Sequence, residues 1–170
     1  MKLLICALVF SWGTPVYVAQ ETKQSESKRG RLAGFEWLRQ FKGSWATAYN
    51  GTMKTRLVGN RWIVSEISFQ KGVSAVQIIG YDKKKKQFVG TWIDSTASYI
   101  WQYVGSLDST GKVLTLEAQG PDMTAPTKTM RYRDIYEFKS KNEIAAVSQM
   151  LNDKGEWTTF NRGKMTRKVK

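Results

Sequence analysis

The side chains able to do chemistry here are carboxylates and aromatics, and no histidine accompanies them in 170 residues. That removes the usual general base at neutral pH and the commonest transition-metal ligand. What remains is a set of acids spaced two residues from aromatic rings. Asp134 stands between Tyr132 and Tyr136, Asp94 follows Trp92, and Tyr99, Trp101 and Tyr103 repeat the interval. Residues two apart on a β-strand share a face, so each group would bring rings or a carboxylate to one side of a sheet. Glu66, on a neighbouring strand, would project near Asp94. Such a mixture suits a ligand with an apolar body and a donor or cationic group. Paired carboxylates are also the apparatus of glycoside hydrolysis, where their separation decides the mechanism. Asp94 or Glu66 would be the acid or base of such an enzyme. Each feature has a plainer explanation beside it. Asp134 would sit in a structural hydrogen-bond network, Trp92 would be core with Asp94 bonded at a turn, and the Tyr99–Tyr103 stripe would be cross-strand pairs.

Composition excludes several function classes. The single cysteine, Cys6, falls in an apolar N-terminal run, Leu3 to Phe10, preceded by Lys2 and followed by the break Gly13-Thr14-Pro15. This pattern reads as a signal peptide over residues 1–19, cleaved after Ala19 or, as the alternative, after Gly13. The processed chain would then hold no cysteine: no disulfide, no cysteine-based zinc site and no thiol nucleophile. No phosphate-binding glycine loop, calcium loop or Gly-x-Ser-x-Gly elbow is present. The formal charge of +13 favours anionic lipid, envelope polymers or acidic ligands outside the cell. For an exported chain no nucleic-acid partner is expected.

The elements that must position these residues are short strands. Residues 20–32 are polar and charged, as expected of a disordered tether. Ala33 to Phe41 places Phe35, Leu38 and Phe41 at helical spacing with Gly43 just beyond, which predicts a short capping helix. From there, candidate strands run 44–49, 52–59, 61–70, 73–82, 87–95, 98–107, 112–120, 127–139, 143–151 and 157–168. Turn formers separate them, among them Asn50-Gly51, where a type I′ hairpin is expected. The same Asn50-Gly51-Thr52 stretch fits the N-glycosylation pattern, and a hairpin explains it fully. No interval is long enough for a crossover helix, so the strands should be antiparallel and close into a barrel. In 127–139, Met130, Tyr132, Asp134, Tyr136 and Phe138 would face inward. In 112–120 the same holds for Leu114, Leu116 and Ala118. The orientation of 98–107 stays open, because Ile100 and Val104 compete with the aromatic face.

Two groups of residues carry a resemblance. Gly43-Ser44-Trp45 after a short helix, with Arg162 in the last strand, resembles calycins, the lipocalin and fatty-acid-binding superfamily. There a Gly-x-Trp tryptophan packs under a basic side chain from the closing strand. More specific are Val58-Gly59-Asn60-Arg61-Trp62, Ile79-Gly80-Tyr81-Asp82 with the lysine turn after it, and Phe88-Val89-Gly90-Thr91-Trp92-Ile93-Asp94-Ser95. Together these are similar to the exported bacterial proteins grouped as domain of unknown function 1579 (DUF1579), from about Leu38 to Arg162. Asn60 departs from the pattern where a second glycine is expected, although asparagine tolerates the same left-handed geometry. The resemblance implies a calycin-like barrel and brings no established activity and no catalytic residues. Related barrels bind haem through a histidine that this chain lacks, so no cofactor is expected.

The reading is an all-β, single antiparallel up-and-down calycin-like barrel of about ten strands over 33–170, with a short N-terminal capping helix. It would be periplasmic or extracellular. It would bind a small apolar or amphipathic molecule without catalysis, using Trp92, Asp94, Tyr99, Trp101, Tyr132, Asp134, Tyr136 and Glu66. Gly43, Trp45 and Arg162 would close the barrel. A second reading makes the basic surface, with Lys83, Lys84, Lys85 and Lys86 at one hairpin tip, a docking face for anionic membrane or envelope polymer. The enzyme reading is the third.

Overall fold

A computed structural model describes residues 34–122, 125 and 127–168. The expected signal peptide and tether lie outside them. One short helix, α1 (Phe35–Arg39), precedes ten strands: β1 (Gly43–Ala46), β2 (Thr52–Val58), β3 (Trp62–Ser68), β4 (Ser74–Asp82) and β5 (Gln87–Asp94), then β6 (Trp101–Leu107), β7 (Val113–Pro121), β8 (Thr129–Ser140), β9 (Glu143–Leu151) and β10 (Trp157–Arg167). Every strand pairs antiparallel with its neighbour in sequence, and β1 meets β10 to close the cylinder. The expected ten-stranded antiparallel barrel with one short helix is the architecture observed.

Alternation sets the two faces. On β7, Leu114, Leu116 and Ala118 are buried, and opposite them in register stand Tyr136, Asp134 and Tyr132 of β8. The open question on β6 is resolved by Tyr103, which is buried, while Ile100 and Val104 are exposed outside. Turn chemistry is less faithful to the sequence. The Asn50-Gly51 hairpin is instead a 3-10 turn, Ala48–Asn50, and β1 ends at Ala46. Asn50 has φ 55° but Gly51 does not share the positive φ of a type I′ turn. Glycine is needed there for space, since a Cβ would strike Thr47 Oγ1 and the Ser68 carbonyl. Positive φ at both central residues occurs at Lys71-Gly72, between β3 and β4.

Aromatic packing plugs one end of the barrel. Phe35, Trp37, Leu38 and Phe41 are all buried, each burial worth roughly 1.5–3 kcal/mol relative to exposure. Trp37 and Phe41 meet Phe138 edge-on at 5.2 and 5.1 Å, and Phe41 meets Tyr136 at 5.6 Å. Gly34 has φ 58°, and a Cβ there would lie 2.8 Å from the Tyr81 ring, so the helix begins where β4 leaves no room for a side chain.

The closing contact is not the expected one. Trp45 lies opposite Arg167 in the β1–β10 register, and the Arg167 guanidinium stacks 4.0 Å over the Trp45 ring. Its three nitrogens donate to the carbonyls of Lys141 (2.9 Å), Lys42 (2.6 Å) and Gln40 (2.8 Å). The indole Nε1 of Trp45 donates to the Phe41 carbonyl at 2.7 Å. Arg162 pairs with Val147 and is exposed on the outer wall. Residue 162 is an odd number of positions from 167, so the pleat turns it to the opposite face. Gly43 is explained by the same contact: its φ is +123°, and a Cβ would lie 2.9 Å from Arg167 Nη1.

Candidate functional site

Above the aromatic plug the barrel interior becomes polar. Thr55 and Ser65 face each other across β2 and β3 and share a hydrogen bond of 2.8 Å. Gln77, next in register to Ser65, donates from Nε2 to the Tyr136 hydroxyl at 3.0 Å. Asp134 accepts from the hydroxyls of Tyr103 and Ser148, the latter at 2.6 Å. Among the described residues no fully buried side-chain nitrogen or oxygen lacks a partner. Of this belt, Gln77, Asp134, Tyr136 and Ser148 form the floor of a cavity of about 700 Å³.

Apolar groups make the walls. Met53 and Ile67 line one side, and Trp92, Trp101 and Tyr132 line the other. Trp101 meets Tyr132 edge-on at 4.8 Å, Tyr99 meets Trp101 at 5.1 Å, and Tyr132 meets Phe160 at 6.1 Å. The Tyr99 and Tyr132 hydroxyls donate to the carbonyls of Gln119 and Pro121. Their polar ends are thus tied to backbone while the rings border the cavity. Tyr99 and Phe160, at 39% and 46% exposure, mark the rim. There β1 pairs with β10 at only two positions, and the 3-10 turn packs against Gly163 instead of a longer strand.

The carboxylates differ in character. Burial pushes the Asp134 carboxyl above its ordinary value, against the opposing hydrogen bonds from Ser148 and Tyr103. Burial, and then the Asp134 charge, raise the phenols of Tyr103 and Tyr136. For Asp94 burial also acts upward, but donors outweigh it: the Thr96 hydroxyl, the Trp92 indole at 2.9 Å, and the Thr96 and Ala97 amides. Asp94 is therefore held below the usual carboxylate range and is ionised at neutral pH. Among the lining residues only Lys164 is basic, and its ammonium lies outside, exposed, 3.3 Å from Glu143.

The structure gathers seven of the eight expected ligand-facing residues around this cavity: Trp92, Asp94, Tyr99, Trp101, Tyr132, Asp134 and Tyr136. Glu66 is the correction. It is exposed on the outer wall between Lys54 and Val76, because its neighbours Ser65 and Ile67 take the inward positions of β3. The Asp94/Glu66 pair of the enzyme reading is therefore not assembled. Gln77 and Ser148 were not anticipated, although alternation along β4 and β9 would have turned both inward. Phe160 carried no such signal, since it sits where the β9–β10 register shifts between Thr159 and Asn161. Lys83 to Lys86 form the exposed β4–β5 hairpin, ordered by Asp82 Oδ1, which accepts from the amides of Lys84 and Lys85.

The family model described as "Protein of unknown function (DUF1579)" matches residues 33–167. No curated protein matches the chain.

Proposed function

We propose that this chain, which belongs to the DUF1579 family, is a non-catalytic binding protein that holds one small amphipathic molecule in its barrel. The supporting observation is the cavity of about 700 Å³, within the range of roughly 300–1,000 Å³ usual for small-molecule sites. Its walls are largely aromatic and aliphatic, and at the floor Gln77, Tyr136 and Ser148 gather around Asp134. An apolar body would displace water from Trp92, Trp101, Met53 and Ile67, while one polar group meets the floor. The test is native mass spectrometry of the protein purified from its own host. A retained mass is expected on the wild type and should disappear in Ala146→Trp, which fills the lumen from β9. Retention unchanged by that variant would remove the barrel as the binding place.

A second reading concerns the opposite end. Lys83 to Lys86 are all exposed beside the plugged end, and Val58 and Trp62 stand exposed on the adjoining β2–β3 hairpin. Cations beside apolar side chains support docking to an anionic lipid surface, each lysine adding up to about 1 kcal/mol. Binding to phosphatidylglycerol vesicles should fall steeply with salt. It should also be lost when the four lysines are replaced by serine; undiminished binding would end this reading.

A further inference from the structure

The outside and the inside of this barrel carry opposite charge. The chain has a formal charge of +13, which by itself suggests an acidic ligand. Within the cavity the order is reversed. Asp94, Asp122 and Asp134 line it, and the sole basic lining residue, Lys164, turns its ammonium outward to Glu143. Arg131 and Arg133, on either side of Tyr132, with Arg133 next to Asp134, are kept outside by the pleat. There they pack over the Trp157 ring at 5.7 and 4.1 Å.

Asp134 is the decisive group. Its carboxyl is deep in the barrel and accepts from two neutral hydroxyls, those of Tyr103 and Ser148. Among the described residues it forms no ion pair. A carboxylate in that setting is costly to ionise unless a cation reaches it. The cavity above it has room for one, and the faces of Trp101 and Tyr132 are surfaces on which a cation is favoured over an anion. An anionic headgroup would meet the carboxylates of Asp94, Asp122 and Asp134 and no positive charge.

We propose that the ligand of this cavity is an organic cation: an amine or quaternary ammonium with an apolar body, its charge seated at Asp134. This rests on the reading of the barrel as a ligand-binding protein and adds the sign of the ligand's charge. Arg131 and Arg133 outside, and Asp134 inside, make it a prediction against the net charge of the chain.

Three probes of equal chain length test it: decylamine, decan-1-ol and decanoate, each titrated calorimetrically into the full chain at pH 7 below micellar concentration. The expected order is amine, then alcohol, then carboxylate. The amine should bind at least about tenfold tighter than the alcohol, as one charge-assisted contact in a desolvated site provides. Asp134→Asn should weaken the amine selectively, bringing amine and alcohol to within about threefold of each other. The wild-type order decides the matter even if that variant does not fold. Alcohol or decanoate binding as tightly as the amine would overturn the cation proposal and leave the binding function standing. Binding of none of the three would overturn both.

Discussion

Removing the Arg167 side chain should destabilise the barrel far more than removing Arg162, and the structure sets the size of the difference. Arg167 joins three segments by hydrogen bonds to Gln40, Lys42 and Lys141 and stacks on Trp45 at 4.0 Å. The three carbonyls belong to the end of α1, the approach to β1 and the β8–β9 turn, so one guanidinium ties the plug to the seam. Hydrogen bonds from a charged donor contribute about 1.5–3 kcal/mol when fully desolvated. This group is half-buried, and water can replace part of each bond, so about 0.5–1 kcal/mol per bond is appropriate. The stacking adds about 0.5–1 kcal/mol. Arg167→Ala should therefore cost about 2–4 kcal/mol. In urea this is a midpoint lowered by about 1–2 M at unchanged slope. Arg167→Lys should fall between, because a single ammonium cannot span three carbonyls as a planar fork does. Arg162 is exposed on the outer wall, and Arg162→Ala should change stability by less than about 0.5 kcal/mol. Equal costs at the two positions, or a larger cost at Arg162, would refute the assignment of the closing contact to Arg167.

Gly43→Ala should cost about 1–3 kcal/mol, since alanine at φ +123° is strained and its Cβ would press on Arg167. A double-mutant cycle with Arg167→Ala should return less than the sum of the single costs. Asp134 and Asp94 should bend stability with pH in opposite senses. The raised carboxyl of Asp134 contributes stability below its unfolded value of about 3.8, lost as pH rises through the folded value. The lowered one of Asp94 contributes above the unfolded value and loses it as pH falls. Urea midpoints of D134N and D94N between about pH 3 and pH 8 should therefore diverge from wild type in opposite directions; parallel curves would contradict the burial assigned to Asp134. Gly120→Ala would force the Trp101 ring off its seat and should alter the near-ultraviolet circular dichroism with little loss of secondary structure. An unchanged spectrum would mean that Trp101 does not rest there.

Much of the wall was legible from chain order alone, because a two-residue period on an antiparallel strand leaves side chains only two directions. Leu114, Leu116 and Ala118 on one strand, and Tyr132, Asp134 and Tyr136 on the next, follow from that rule once a single inward residue is known. Alternation is silent where both faces are apolar. In β3, Trp62 and Val64 face out while Ile63 and Ile67 face in, and nothing local says on which side Glu66 belongs. Ser65 took the interior because its hydroxyl finds Thr55 across the ladder, a partner visible only after β2 and β3 are set in register. The closing arginine depended on a pairing between strands more than a hundred residues apart, and five positions along β10 reverse the face. The sign of the cavity's charge was hidden for the same reason. Composition counts every lysine and arginine, but closing the cylinder segregates Arg131 and Arg133 to water and Asp134 to the lumen. Local periodicity is a property of the chain, whereas which group meets which across an enclosed space is a property of the closed sheet.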